Sequence, residues 1–449
     1  MKKLFGTDGV RGKAGEFLDA ATAMRLALSM GVYFKQSSSK QTGKILLGKD
    51  TRRSGYMIEN AIVAGLTSVG YDVVQIGPMP TPAIAYLTQS MRCDAGIMLS
   101  ASHNPFYDNG LKFFNCNGDK LSEQEEKQIE EIYFDEKNHK TYHKTGKGIG
   151  KAKRIDDVIG RYIVSIKSSF PVDKTLYGIK VVLDCANGAG YKVGPTILSE
   201  LDANLIVIND KPNGYNINDN CGALYPQNLG KAVLKHKADI GIALDGDADR
   251  LVVVDEKGQT IDGDKLIATI ATSLKAQNKL QNNRCVVTVM SNMATENYLQ
   301  SQDIEVFRTD VGDRFVLAKM KEIKSNFGAE QSGHIILKDI SKTGDGLASA
   351  LYVLSILCQS DEKASKLFNP FDLSSQLLVS LIIKKKLPLQ EIVGLDNLKQ
   401  KLKDKGLREL IRYSGTENKI RLLIEGADEA IVKKSMNELE TFIKKTLCD

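Results

Sequence analysis

The chain has 449 residues, 42% hydrophobic and 26% charged, which is the composition of a folded globular protein with room for about three domains. Its 61 basic and 55 acidic residues leave a net charge of +6, too dilute for a nucleic-acid surface, and the longest basic run, Lys384-Lys385-Lys386, reads as a solvated strand end. Seven cysteines without a C-x-x-C pair argue against a disulfide framework or structural zinc; with no signal-peptide core and no apolar run near the ~18 residues of a membrane span, a cytoplasmic protein is expected.

In chain order, short apolar runs alternate with helical patterns, the mark of an α/β protein. Buried strands are expected at 45–47, 73–76 and 96–99, with a serine-capped helix over 54–69 and a helix opening at Thr81-Pro82. A Gly/Lys-rich stretch at 144–153 contains three alternate glycines, but no strand precedes it, so it reads as a boundary loop rather than a nucleotide loop. A second unit runs from the strand 179–184 to the strand 240–244. A third is expected to start with the strand 251–254, pass through 285–289 and close with an apolar helix over 347–357. After Asn369-Pro370 the pattern changes to strands at 377–383, 407–412 and 420–425, with helices at 395–403 and 430–445. The expected domains are therefore 1–150, 151–250, 251–368 and 369–449: three α/β units and a smaller α+β unit.

The sharpest chemical signal is Asp245-Gly246-Asp247-Ala248-Asp249-Arg250. A curled loop can bring three alternate carboxylates onto one hard cation. An EF-hand is the competing reading, since Glu256 is twelfth from Asp245. Against it, Arg250 stands where the sharp turn needs glycine, and a strand follows where a helix should. Arginine beside the loop suits a phosphorylated ligand, and magnesium is preferred over calcium. Ser100-Ala101-Ser102-His103-Asn104-Pro105 follows a strand, at the usual site position of an open sheet. No nucleophile elbow is present, so Ser102 reads as a phosphoryl acceptor, with His103 adjacent and Lys112 a candidate acid/base or charge partner. Glu330-Gln331-Ser332-Gly333-His334 offers hydrogen-bonding groups suited to sugar hydroxyls. Arg412-Tyr413-Ser414-Gly415-Thr416-Glu417, with Arg421 beyond, reads as an anion cradle, and Gly6-Thr7-Asp8-Gly9-Val10-Arg11-Gly12 repeats the glycine-plus-arginine logic.

Taken together and in this order, these loops resemble the α-D-phosphohexomutase superfamily, most closely its bacterial phosphoglucosamine mutase branch. The resemblance covers the chain end to end. It implies a heart-shaped molecule with a central cleft, to which each domain gives one loop. Ser102 would carry the phosphoryl group. Asp245, Asp247 and Asp249 would hold Mg2+ with the Ser102 phosphate. Glu330 and Ser332, with His334, would meet the sugar; Arg412, Ser414, Gly415, Thr416 and Arg421 would bind the unreactive phosphate, with Arg11 and Arg250 also facing the substrate. Gln331 favours an amino sugar, where phosphomannomutase/phosphoglucomutase members tend to carry methionine.

The reaction implied is a phosphoryl shift between C6 and C1 of glucosamine phosphate through a hexose 1,6-bisphosphate, which also serves as primer. The partner is a phosphorylated amino sugar rather than nucleic acid or membrane; a homodimer is left open. The same chemistry on glucose or mannose phosphate is the nearest alternative, and a non-catalytic sugar-phosphate sensor is a rival of another class. Three departures from the family pattern stand out. Ala248 replaces a usual glycine, which is harmless only at negative φ. Asn418 replaces a common proline, and Ala223-Leu224-Tyr225-Pro226-Gln227 lacks a Ser-Thr-His-Pro-Glu segment.

Overall fold

The computed structural model describes residues 4–448 apart from 7, 38–41, 136, 138 and 415–417. The first unit holds β1 (Val10–Lys13), β2 (Lys44–Lys49), β3 (Asp72–Pro78), β4 (Ala95–Leu99), β5 (Asp108–Asn115) and β6 (Ala152–Arg154), in the order β1-β5-β4-β2-β3-β6. In β2, Ile45 and Leu47 pack on one face against helices Ala20–Ser37 and Gly55–Ser68, while Leu46 packs on the other face. That two-sided burial is why the strand reads as an unbroken apolar run instead of an alternating one.

The second sheet contains β7 (Lys180–Asp184), β8 (Asn204–Ile208), β9 (Ile240–Leu244) and β10 (Leu251–Asp255), ordered β10-β9-β7-β8. The third has β11 (Arg284–Thr288), β12 (Glu305–Thr309), β13 (Phe327–Ala329) and β14 (Ile335–Leu337), ordered β12-β11-β13-β14. One apolar core runs through all three units, from Leu46 and Ile84 through Val181 and Ile242 to Phe327 and Leu351. The helix Gly346–Leu357 lies within it, capped by Asp345, whose Oδ1 accepts from the Leu347 and Ala348 N–H groups.

The fourth unit is a three-stranded antiparallel sheet of β15 (Ser375–Ile382), β16 (Arg408–Tyr413) and β17 (Lys419–Gly426), ordered β15-β17-β16. It has a core of its own, built from Ile411, Leu422 and Ile424 against Val432, Met436 and Leu439 of the helix Glu429–Ile443. It meets the third unit through polar contacts. Arg408 donates to the Ser291 carbonyl oxygen at 3.1 Å and to that of Val289. Asn292 exchanges hydrogen bonds with the Ser374 backbone at 3.0 and 3.1 Å.

Three sequence expectations change. β10 pairs antiparallel with β9, so the strand at 251 completes the second sheet instead of opening the third unit. The stretch 144–153 ends in β6, which adds to the first sheet beside β3, so the first unit extends past residue 150. Ser54 precedes the helix Gly55–Ser68 without a side-chain cap bond; its hydroxyl accepts from Asn109 Nδ2 instead. No helix among the described residues is long and apolar enough to cross a membrane.

Candidate active site

Four strand ends carry the four motif loops, and each loop links an antiparallel pair. Residues 100–107 connect β4 to β5, 245–250 connect β9 to β10, 330–334 connect β13 to β14, and 414–418 connect β16 to β17. The loops thus hang from the carboxyl ends of β4, β9, β13 and β16, where open sheets place their ligands.

Ser102 is buried, and its Oγ donates to Asp245 Oδ2 at 2.6 Å, joining the first unit to the second. The approach is close enough that Gly246 is required: a Cβ there would lie 2.6 Å from the Ser102 carbonyl oxygen. Asp245, Asp247 and Asp249 are buried, with ligand oxygens within 4.8 Å of one another. Lys112 Nζ lies 2.7 Å from Asp247 Oδ2, 3.0 Å from Asp249 Oδ2 and 3.1 Å from Asp8 Oδ2. Thr81 Oγ1 also donates to Asp247 Oδ2. The other oxygens, Asp247 Oδ1 and Asp249 Oδ1, are buried without a hydrogen-bond partner. Orphaned carboxylate oxygens are costly, and this pair marks where a cation fits. Lysine takes one side of the two carboxylates; on the other, Asp247 Oδ1 has no hydrogen-bond partner and Asp249 Oδ1 has only His334 and Arg250 near it, at 3.8 and 4.0 Å.

Burial, then the neighbouring carboxylates Asp249 and Asp247, push the Asp245 carboxyl well above its usual range, against the help of Arg250 and the Ser102 hydroxyl. Burial would raise Asp249 as well, but Lys112 and His334 outweigh it and hold that carboxyl well below the usual range. Lys112 itself is raised, its burial overcome by Asp247, Asp249 and Asp8, so it stays an ammonium. His103 Nδ1 lies 3.3 Å from Ser102 Oγ. Burial, then Arg250 and Arg11, push its pKa down to about 4, leaving a neutral imidazole beside the serine.

Of these groups, Ser102, His103 and Asp249 open onto a cleft of about 460 Å³ whose walls also include Asp8, Arg11, Arg250, Glu330 and His334. Glu330 Oε2 accepts from the Gly312 N–H at 3.3 Å, and His334 sits 3.8 Å from Asp249 Oδ1 and from Asp313 Oδ2. Ser332 is exposed at the loop tip. Gln331 turns elsewhere: its Oε1 accepts from Thr288 Oγ1 at 3.4 Å, at the end of β11. Ala248 has φ +57°, so its departure from glycine falls in the left-handed region and carries strain.

In the fourth unit, Arg412 and Arg421 are register partners across β16 and β17. Burial, then Arg421, lower the Arg412 pKa. Two guanidinium groups directly opposed are repulsive without an anion between them, which fits a phosphate cradle. Ser414 is buried, its N–H donating to the Lys419 carbonyl oxygen at 2.8 Å. Gly415 and Thr416 lie outside the described residues. Among the described residues, Arg412, Ser414 and Arg421 do not line the cleft, whose walls come from the serine, aspartate and 330–334 loops and from the first glycine-rich motif.

The sequence reading missed Asp8 and Lys120. Lys120 bonds to Asp8 and to Asp313, tying the first unit to the third beside the cleft. Asp8 sat inside the first glycine-rich motif and was visible. Lys120 is a lone lysine with no local signature.

Comparison with known proteins completes the picture. Models of phosphoglucomutase/phosphomannomutase α/β/α domains I, II and III match residues 2–140, 160–258 and 262–372, and the C-terminal domain model matches 380–441. A phosphoglucosamine mutase from Aliarcobacter butzleri is 61% identical, over 99% of this chain and 100% of its own length. Another from Sulfurovum is 59% identical over 99% of both chains. Among solved structures, a phosphoglucomutase/phosphomannomutase family protein from Burkholderia thailandensis shares the fold at TM-score 0.83 and 22% identity, covering 99% of this chain and 97% of that one. Aspergillus fumigatus N-acetylphosphoglucosamine mutase, solved with GlcNAc-6P and magnesium, shares it at TM-score 0.65 and 17% identity, covering 99% and 96%. The chain belongs to the phosphoglucomutase/phosphomannomutase family of α-D-phosphohexomutases, phosphotransferase enzymes of the isomerase class, and within it is most like the phosphoglucosamine mutases.

Proposed function

We propose that this enzyme interconverts glucosamine 6-phosphate and glucosamine 1-phosphate through a phosphorylated Ser102 and a glucosamine 1,6-bisphosphate. The observation that supports it best is the contact of Ser102 Oγ with Asp245 at 2.6 Å, on the wall of a cleft lined by Arg11 and Arg250. The amino sugar is the substrate of choice because both relatives near 60% identity carry the name phosphoglucosamine mutase.

In the first half-reaction the P–Oγ bond of Ser102 breaks as a bond forms to the free sugar hydroxyl. That hydroxyl gives up its proton, and neutral His103, 3.3 Å from Oγ, is placed to hold one. The second half-reaction reverses these steps at the other end of the turned-over bisphosphate. Lys112 remains an ammonium and balances Asp247, Asp249 and Asp8 throughout. Asp245, Asp247 and Asp249 would hold Mg2+, whose charge offsets that of the transferring phosphoryl group. Glu330 would accept from sugar hydroxyls. Arg412 and Arg421 would bind the idle phosphate once the fourth domain swings toward the cleft, a motion that its separate core and polar junction permit. Unpaired cysteines throughout fit a reducing, cytoplasmic setting.

The orientation of Gln331 toward Thr288 favours keeping one alternative in view, the same chemistry on glucose or mannose phosphate. Turnover of glucosamine, glucose and mannose 6-phosphates side by side, with Mg2+ and a priming hexose bisphosphate, separates the two. The amino sugar should show the highest kcat/KM, with Ser102→Ala as an inactive blank. Equal or better use of glucose or mannose would move the chain to that other branch.

A further inference from the structure

Ser102 has φ +51°, in the left-handed region where a residue with a side chain is disfavoured. Such a conformation persists only where the surroundings impose it. What imposes it comes from two domains.

Arg52, 0% exposed, fills the inside of the serine loop. Its Nη2 donates to the carbonyl oxygens of Ser102 at 2.9 Å and Asn104 at 2.8 Å. Its Nη1 donates to the Pro105 carbonyl oxygen and, at 3.2 Å, to that of Asp108. Its Nε donates to Asp50 Oδ2 at 2.8 Å, which also takes the Ser100 hydroxyl at 2.7 Å; Ser100 Oγ in turn accepts the Ser102 N–H at 2.9 Å. All five guanidinium N–H groups are therefore used, three of them on the backbone of the serine loop and a fourth on the first residue of β5. From the second domain, Asn218, 6% exposed, donates Nδ2 to the Ser102 carbonyl oxygen at 2.9 Å and to that of Asn104 at 3.3 Å. Asn218 is anchored in turn by its N–H, 3.0 Å from the Ala186 carbonyl oxygen. Neither Arg52 nor Asn218 lines the cleft.

We infer that Arg52 and Asn218 are positioning residues for the phosphoryl transfer, gripping the Ser102 and Asn104 carbonyls from two domains so that the serine Oγ is aimed at the three aspartates. The inference rests on the reading of Ser102 as phosphoryl carrier. With both donors on the Ser102 carbonyl and its N–H on Ser100 Oγ, the peptides on either side of the serine are held, and its backbone keeps the left-handed setting that aims Oγ. Losing one donor loosens that hold. A reacting atom misplaced by about 1 Å costs about a hundredfold in rate.

The test uses the full-length protein with glucosamine 6-phosphate, Mg2+ and glucose 1,6-bisphosphate. Asn218→Ala removes the donor. Asn218→Asp keeps the shape but puts an acceptor against two carbonyl oxygens. Both should fold, lose at least tenfold in kcat with KM within about threefold, and carry less phosphate on the Ser102 peptide after incubation with the bisphosphate. Asn218→Asp should be the worse of the two, an order that a packing role would reverse. Arg52→Lys, with three donors in place of five, should lose kcat at least as far. If both Asn218 variants keep kcat within twofold of wild type while Ser102→Ala is inactive, the clamp is overturned and the phosphoserine reading survives. If Ser102→Ala itself turns over at the wild-type rate, that reading falls and the inference with it.

Discussion

Replacing Asp247 by asparagine removes one of three carboxylates whose ligand oxygens lie within 4.8 Å of one another. In the wild-type chain Asp247 Oδ1 is orphaned and buried, while Oδ2 is held by Lys112 and Thr81. A cation bound to the folded state adds stability that grows with its concentration, about 2.7 kcal/mol at a hundredfold excess over its Kd. An asparagine that weakens binding a hundredfold leaves about 0.4 kcal/mol at the same Mg2+ concentration. Without metal the substitution is mild. It removes repulsion that pushes Asp245 up, and Lys112 keeps Asp249 at 3.0 Å and Asp8 at 3.1 Å. Calorimetric melts of both proteins in EDTA and across a MgCl2 series read the difference. The two should melt alike in EDTA, and the rise with Mg2+ should shrink in Asp247→Asn by about 2 kcal/mol. A rise as large in the variant as in the wild type would refute the assignment of the three aspartates.

Two further predictions concern stability. Burial pushes the Asp345 carboxyl up to about 6, against the help of the Ala348 N–H and the Tyr162 hydroxyl. Because the folded value exceeds the unfolded one, near 4, the folded state binds more protons in that window, and stability falls as pH rises from about 4 through 6. Asp345→Asn cannot titrate but keeps the cap acceptor. The wild type should therefore lose about 2 kcal/mol relative to the variant between pH 4 and 7 in urea unfolding; parallel curves would contradict this. At Ala248, relief of the left-handed strain at φ +57° is set against a lost buried methyl and a looser unfolded chain. Ala248→Gly should thus change stability by less than about 1 kcal/mol, whereas a loss above about 2 kcal/mol would show that no strain is stored there.

All four motif loops were legible as sequence because their chemistry is local: three aspartates at alternate positions, or glycines beside arginines, need no distant partner to be noticed. Their common architecture was not. Alternating strands and helices favour parallel neighbours, as β2, β3 and β4 turn out to be, so the strand at 251 read as the start of a new unit. Six residues between two apolar runs lies just beyond the two to five of an ordinary hairpin loop, so the spacing carried no signal that would have kept β10 with β9. Long-range partners carry no such signal. Lys120 meets Asp313 across 193 positions and Asn218 meets Ser102 across 116, and nothing near either residue announces the contact. Ala248 shows the converse case. The condition φ below zero was stated from sequence, and only the folded loop could show it unmet.

The most direct test of the central claim is the chemical state of Ser102. The enzyme would be incubated with glucosamine 1,6-bisphosphate and Mg2+, digested, and its peptides weighed by mass spectrometry. The expected result is a single phosphoryl group on the peptide containing Ser102, removed by excess glucosamine 6-phosphate at a rate matching turnover. A protein that turns over fully while Ser102 stays unmodified, or that carries its phosphate on another residue, would contradict the assignment.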